Sequence, residues 1–323
     1  MKSNTNGKNT INASAAGIAG QNVKTDAANI ATLETLADIA KQRNAARLEK
    51  MRANLDKLEK RAADIMEKGP NMTASDRIEL LQLVNVAYHS SGKIETISSI
   101  DSCAACAFCE KMRKAAERNC LLICGYCYAA ADAWKEAAYR RHNLNARILS
   151  NVLFTEAELA TLNIPTFKAR INEDGDVINE THARNLVRIF KTHEYVNFGF
   201  WYKNVPAVAA GLKAENITTR ADRPKNVRFV QSSLLIGTPA ASAWFTDVVF
   251  TVYPDAETTE NAIERGAYEC NGRKCKECGF NCYNASKNIM PGVQHVAEVL
   301  RCSATMRARI MAAYVDSKKD MED

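Results

Sequence analysis

Ten of the chain's eleven cysteines fall into two short tracts. The first holds Cys103, Cys106 and Cys109, then Cys120, Cys124 and Cys127; the second holds Cys270, Cys275, Cys278 and Cys282. Cys302 stands alone. Thiolates spaced by two to four residues can converge on one metal ion or one iron–sulfur cluster. Most of the chain lies between the tracts, so the fold decides whether they meet.

The surrounding composition narrows the setting. With 46% hydrophobic residues the chain can bury a sizeable core. The opening residues lack an apolar stretch, so no signal peptide is expected. No run approaches the length of apolar sequence that spans a membrane. A reducing cytoplasm is therefore expected, where clustered cysteines read as metal ligands or redox groups rather than structural disulfides. The formal charge of +6, from 43 Lys+Arg against 37 Asp+Glu, permits nucleic-acid contact without demanding it. Two basic runs, Lys111–Lys114 and Arg140–His142, lie on expected helices. They read as a solvated helix face or as phosphate contacts.

Residues 1–27 are rich in Asn, Ser, Ala and Gly and are expected to be disordered. Residues 28–92 read as a helical arm. Leu48, Met51, Leu55, Leu58, Ala62 and Ile65 keep a three-four spacing, and Gly69-Pro70 ends it. Such an arm suits self-association, a protein partner, or packing on its own domain. A second helix is expected over 76–89. The stretch 93–316 reads as a cysteine-ligated α/β domain, and 317–323 as a charged, fraying tail.

Within that domain strand-like runs alternate with helical ones. Strands are expected at 148–154, 166–172, 195–202, 227–236 and 248–253. Helices are expected at 128–144, 156–163, 180–192, 205–214, 257–266 and 294–316. Thr155 with Glu158 offers a capping box. The alternation predicts an α/β fold: a mostly parallel sheet, open or closed into a full or partial (β/α) barrel. Ligands in such folds sit at the carboxyl ends of strands. Arg170, Asp174, Asp176 and Lys203 are therefore candidate catalytic residues. Asn172, Asn204, Ser232 and Ser233 are candidate cofactor contacts. An ordinary solvated face is the alternative for these strand ends.

Cys120, Cys124 and Cys127 have the spacing that can hold three irons of a cubane and leave the fourth open. This resembles the radical S-adenosylmethionine enzymes, and Tyr126 matches their aromatic before the last cysteine. The resemblance implies a [4Fe–4S] cluster, S-adenosylmethionine and an α/β core. Two departures stand beside it. Cys103, Cys106 and Cys109 lie close upstream, and the glycine-rich stretch expected on the next strand is missing. The second tract offers four thiolates for one [4Fe–4S] cluster or one structural zinc. Joint ligation by both tracts is a further option. No histidine is expected to join a ligand cluster.

Over roughly residues 95–285 the chain also resembles the cysteine-rich gene product 88 family of phages and mobile elements. The carrying stretches are Phe108–Arg113, Ile123–Ala129, Arg170–Asp176, Phe200–Asn204 and Cys270–Cys282. The resemblance implies a phage-type metalloprotein of the host cytoplasm. It favours Cys109, Cys124, Cys127 and the second tract as ligands, with Cys103, Cys106 and Cys120 as additions.

Two functions follow. One is an iron–sulfur protein doing radical or redox chemistry. The other is a zinc-stapled interaction or nucleic-acid-binding protein. The chain has no P-loop, no GxGxxG, no HExxH and no nucleophile elbow around Ser232 and Ser233.

Overall fold

The computed structural model describes residues 27–102, 107–126, 136–270, 274–278, 280, 282–283, 292–300 and 302–319. Cys103, Cys106 and Cys127, residues 1–26 of the expected disordered start, and 320–323 of the tail lie outside the described residues. The chain divides into two units, Met1–Met51 and Arg52–Asp323. The first is described as the early part of helix α1, Ala27–Met66, whose residues 41–50 are exposed.

The second unit is built on an eight-stranded sheet. Its strands are β1 (Ala87–Tyr88), β2 (Ser98–Ile100), β3 (Lys168–Ile171), β4 (Asn197–Tyr202), β5 (Val227–Ser232), β6 (Val248–Tyr253), β7 (Tyr268–Glu269) and β8 (Gln294–Val299). They lie in the order β1-β2-β3-β4-β5-β6-β8-β7, so the sheet is open at both ends. Among the named strands of the described residues, the β1–β2 pair is antiparallel and the other pairs are parallel. The helices of this unit are α2 (Ala74–Leu83), α3 (Ala107–Ala116), α4 (Glu136–Asn151), α5 (Glu156–Leu159), α6 (Glu180–Thr192), α7 (Val205–Ala214), α8 (Ala256–Glu264) and α9 (Ala304–Lys319).

From β2 to β6 each strand is added beside the last, in one direction. Right-handed crossovers then place the connecting helices on a single face. Alternate strand residues show it. Ala169, Ile171, Phe198, Phe200, Tyr202, Val227 and Phe229 share a core with Leu149, Leu186, Phe190, Val208 and Leu212 of the helices. Their neighbours Trp201, Val230, Val248, Phe250 and Val296 pack instead against Cys270 and Phe280. One face is thus covered by helices, and the other carries the second cysteine tract and, around Val252 and Leu300, Ile310 of α9.

Several expectations need correction. The run 148–154 is not a strand: α4 extends through Asn151, because Leu144, Ile148 and Leu149 continue a helical spacing and are buried. The expected helix 294–316 is strand β8 followed by α9. Pairing with β6 on one side and β7 on the other imposes the extended form on a helix-tolerant sequence. The expected helix 76–89 ends at Leu83, and its chain turns into β1. Its start carries a Thr73–Asp76 capping box, and Thr155–Glu158 caps α5 in the same way.

Candidate functional site

Polar residues on the free face of a parallel sheet can meet a ligand only near the strand ends, where loops leave room. Here that room is a cavity of about 500 Å³. Arg170, Asn172, Glu173 and Gly175 line it from the end of β3, Trp201 and Lys203 from β4, Ser232 and Ser233 from β5, and Glu298 from β8. Cys270, Cys275, Cys278, Cys282 and Tyr283 line it as well, together with Ile123, Cys124 and Tyr126 of the first tract. The fold thus brings both tracts to one cavity.

The second tract is fastened by backbone hydrogen bonds, Cys270 N to Ala297 O at 2.7 Å and Cys275 N to Lys93 O at 2.7 Å. Arg228 Nη1 donates to Phe280 O at 3.0 Å, and its guanidinium lies 4.4 Å from the Phe280 ring centre. Gly199 lets the tract approach closely: a Cβ there would lie 3.1 Å from Cys282 O and would also strike the Trp201 ring. Burial pushes the Cys282 thiol up to about 12, partly offset by Arg228 and reinforced by Cys270, Cys275 and Cys278. Burial also raises Cys275.

Among the described residues, no three cysteine sulfurs lie within 4.8 Å of one another. Among the described residues, the cysteines therefore do not gather their sulfurs at one point. Cys120 does not line the cavity, and its carbonyl accepts from the Tyr126 hydroxyl at 2.9 Å. Cys109 is half-buried on α3. Cys302 packs with Ile236, Leu300 and Ile310, behind Leu300 of the cavity lining and not itself part of it.

The polar candidates divide into two groups. Arg170 lies with its guanidinium 4.3 Å from the Trp201 ring centre. Lys203 and Ser232 also face the cavity. The others are largely committed to holding loops. Asp176 is buried, and its carboxylate accepts from the backbone of Val177 at 2.7 Å, Lys203 at 2.9 Å and Asn204 at 3.3 Å. Burial raises its pKa, opposed by the Lys203 charge. Asn172, at φ 60°, accepts from Ser102 Oγ at 2.7 Å and donates to Trp201 O at 3.0 Å. Asn204 donates to Val177 O at 2.8 Å, and Ser233 Oγ lies 2.8 Å from Thr251 Oγ1. Burial works against the Lys93 charge, but Glu298, 3.1 Å away, and Cys270 raise its pKa overall.

Beside this cavity lies a group the sequence reading missed, and it corrects the expectation that no histidine joins a ligand cluster. His89, Asp101 and Glu173 hold ligand atoms within 4.8 Å of one another and could coordinate a metal ion. His89 Nε2 is 3.2 Å from Glu173 Oε2 and 2.8 Å from Ser99 Oγ, which donates to Asp101 Oδ2 at 2.5 Å. Asp174, a candidate from its place after β3, lies 3.4 Å from His142 Nδ1. The one sequence signal was the place of Glu173 after the expected strand 166–172; β2 and its pairing with β3 are visible only in the structure. Of the two basic runs, Arg140 is engaged by Asp56 at 2.6 Å and Glu59 at 2.7 Å, and Lys114 by Glu110 at 2.9 Å.

Fold and site together define a mostly parallel α/β protein with a cysteine-lined cavity on one face of its sheet. The chain belongs to the gene product 88 family, whose model matches residues 48–259. The match covers the sheet from β1 to β6 and the first cysteine tract, and stops short of Cys270–Cys282. Searches of curated proteins and of solved structures returned no match. Among the described residues, no helix is long and apolar enough to cross a membrane.

Proposed function

We propose that this chain is a thiolate-ligated iron–sulfur enzyme whose chemistry takes place in the cavity on the free face of the sheet. The observation that carries this reading is that Cys124 lines the same cavity as Cys270, Cys275, Cys278 and Cys282. Topology adds support. β2 opens the run of parallel strands, and its exit at Asp101 and Ser102 leads straight into Cys103.

The donor set fits a cluster. Thiolates are soft ligands, and Arg228 beside buried Cys282 offsets part of the negative charge they would carry. Cys270, Cys275, Cys278 and Cys282 would hold a closed four-thiolate centre. Cys120, Cys124 and Cys127 would hold a second, open to S-adenosylmethionine, with Cys109, Cys103 and Cys106 nearby in sequence. When bound, such clusters supply one-electron chemistry. The chain's own residues bind and orient. Arg170 and Lys203 would neutralise an anionic substrate group, and Ser232 would hydrogen-bond it. Asn172, Asp176 and Asn204 hold the β3 and β4 exits in place. In this reading the protein works in a reducing host cytoplasm, and the exposed stretch 41–50 of α1 offers a surface for self-association.

Anaerobic purification tests the proposal. A brown protein absorbing near 400 nm, with on the order of four irons and four sulfides per centre, supports it. In the reduced state, an EPR spectrum that changes on adding S-adenosylmethionine supports the open centre. A colourless protein with stoichiometric zinc would sink the enzyme reading in favour of a zinc-stapled interaction module. The backbone anchoring of the second tract favours that alternative.

A further inference from the structure

We propose that His89, Asp101 and Glu173, with His142 and Asp174 around them, form a second metal site that takes a divalent ion of the manganese or ferrous type. It is separate in chemistry from the cysteine-lined site.

His89 follows β1, Asp101 follows β2, Glu173 and Asp174 follow β3, and His142 comes from α4. Four stretches far apart in sequence bring two imidazoles and three carboxylates together. The carboxylates lie at the β2 and β3 exits. The ring of His89, whose backbone pairs with Ile97 just past antiparallel β1, reaches along β2 to Ser99. The parallel β2–β3 register sets Ile100 beside Ile171, which brings the carboxylates just beyond them together.

Asp101 is the anchor. It is 4% exposed, and its Oδ1 accepts from Glu173 N at 2.6 Å and Asp174 N at 3.2 Å. Its backbone carbonyl accepts from Asn145 Nδ2 at 3.0 Å. The carboxylate is thereby fixed with Oδ2 toward the imidazoles, 3.8 Å from His142 Nε2. Supporting hydrogen bonds of this kind orient metal ligands. As the groups stand, the Ser99 hydroxyl donates to Asp101 Oδ2 and lies 2.8 Å from His89 Nε2. A cation held by Asp101 Oδ2, Glu173 Oε2 and the Nε2 lone pair of His89 requires the ring to carry its proton on Nδ1, while the Ser99 hydroxyl keeps its own proton and turns away.

The donor types select the ion. Mixed imidazole and carboxylate sets suit first-row divalent ions, whereas magnesium and calcium prefer all-oxygen shells. Thiolates favour softer partners, so the two sites sort different metals. Glu173 also lines the cavity, so an ion held there would face the same space as Arg170 and Lys203. It would add a third positive group for a carboxylate or phosphate on a ligand.

Manganese is the probe, because it binds thiolates poorly and its free aquo ion gives a strong EPR signal. Titrating Mn²⁺ into the full chain should remove about one equivalent of free signal per chain. The bound ion should show nitrogen coupling from imidazole in pulsed EPR. Glu173→Gln should weaken binding at least about tenfold, and His89→Ala should abolish the nitrogen coupling, while Cys282→Ser should bind Mn²⁺ like the parent chain. Far-UV circular dichroism checks that each variant is folded, and the conservative Glu173→Gln serves if His89→Ala is not. No binding, no nitrogen coupling, or binding untouched by Glu173→Gln overturns the proposal. None of these outcomes depends on whether iron or zinc fills the cysteine site.

Discussion

On β4, Phe198, Phe200 and Tyr202 belong to the helix-covered core, whereas Gly199, one residue away, lies against Cys282 of the second tract and Trp201 lines the cavity. The same alternation runs through β3 and β5. The helix side is an aromatic layer: Phe190 lies 4.9 Å from Phe198, Phe200 lies 5.4 Å from Phe229, and Tyr202 lies 5.7 Å from Phe245 between ring centres. The cavity side carries Arg170, Arg228, Ser232 and the thiols. One face is buried in aromatic packing, and the other presents charged and thiol side chains to a cavity. The period of two in a strand lets one sequence serve both.

The sharpest way to break this comparison is to damage each face alone. Phe200→Ala should cost about 3–5 kcal/mol in urea unfolding, since it opens a cavity in the aromatic layer. The metal content of the surviving folded protein should be unchanged.

Next in size is an acid effect on the helix side. His182 on α6 is 1% exposed, and burial lowers its pKa to about 4 from 6.5. The folded state keeps it neutral while the unfolded chain takes up a proton below pH 6.5. Stability should therefore be complete above that pH and fall as pH drops toward 4, by up to about 3 kcal/mol. Denaturation curves across this window check it, and His182→Gln should flatten the slope. Glu158, held down to about 2 by the Arg77 guanidinium, adds a further loss, but only below pH 4.5.

Gly199→Ala probes the cavity side. The added methyl must displace the Trp201 ring or the Cys282 carbonyl. A loss of about 1–3 kcal/mol is expected, with weaker metal retention under chelator challenge. The smallest effect belongs to Cys302→Ser, which should change stability by about 0.5 kcal/mol and leave metal content unaltered. Metal loss in that variant would move Cys302 into the ligand set.

Much of the helix-covered face was legible in advance. The helices 180–192 and 205–214 and the strand 248–253 lie where the sequence pattern puts them. Failures came where local pattern and tertiary demand parted. The stretch 148–154 mixes apolar and polar residues in a pattern that suits either period, and burial of Ile148 and Leu149 against α6 makes its first part helical. β8 reads as helix until its two neighbours supply hydrogen bonds. The short β1, β2 and β7 carry too few residues to show a period at all.

The site was legible by residue chemistry and not by position. Cysteine spacing marked out two thiol tracts, and both of them line the cavity. Strand-end polarity pointed to Arg170 and Lys203, which line the cavity, and to Asp176, whose carboxylate instead receives three backbone N–H groups. His89 and His142 gave no local signal, since each is isolated in sequence. By itself, then, the sequence determined the thiol tracts, the alternating strands and the α/β class, all of which rest on near-neighbour periodicity. Only the tertiary structure decided that both tracts face one cavity and that two distant histidines meet three carboxylates. Strand order and register set those meetings, and they join residues that no spacing rule connects.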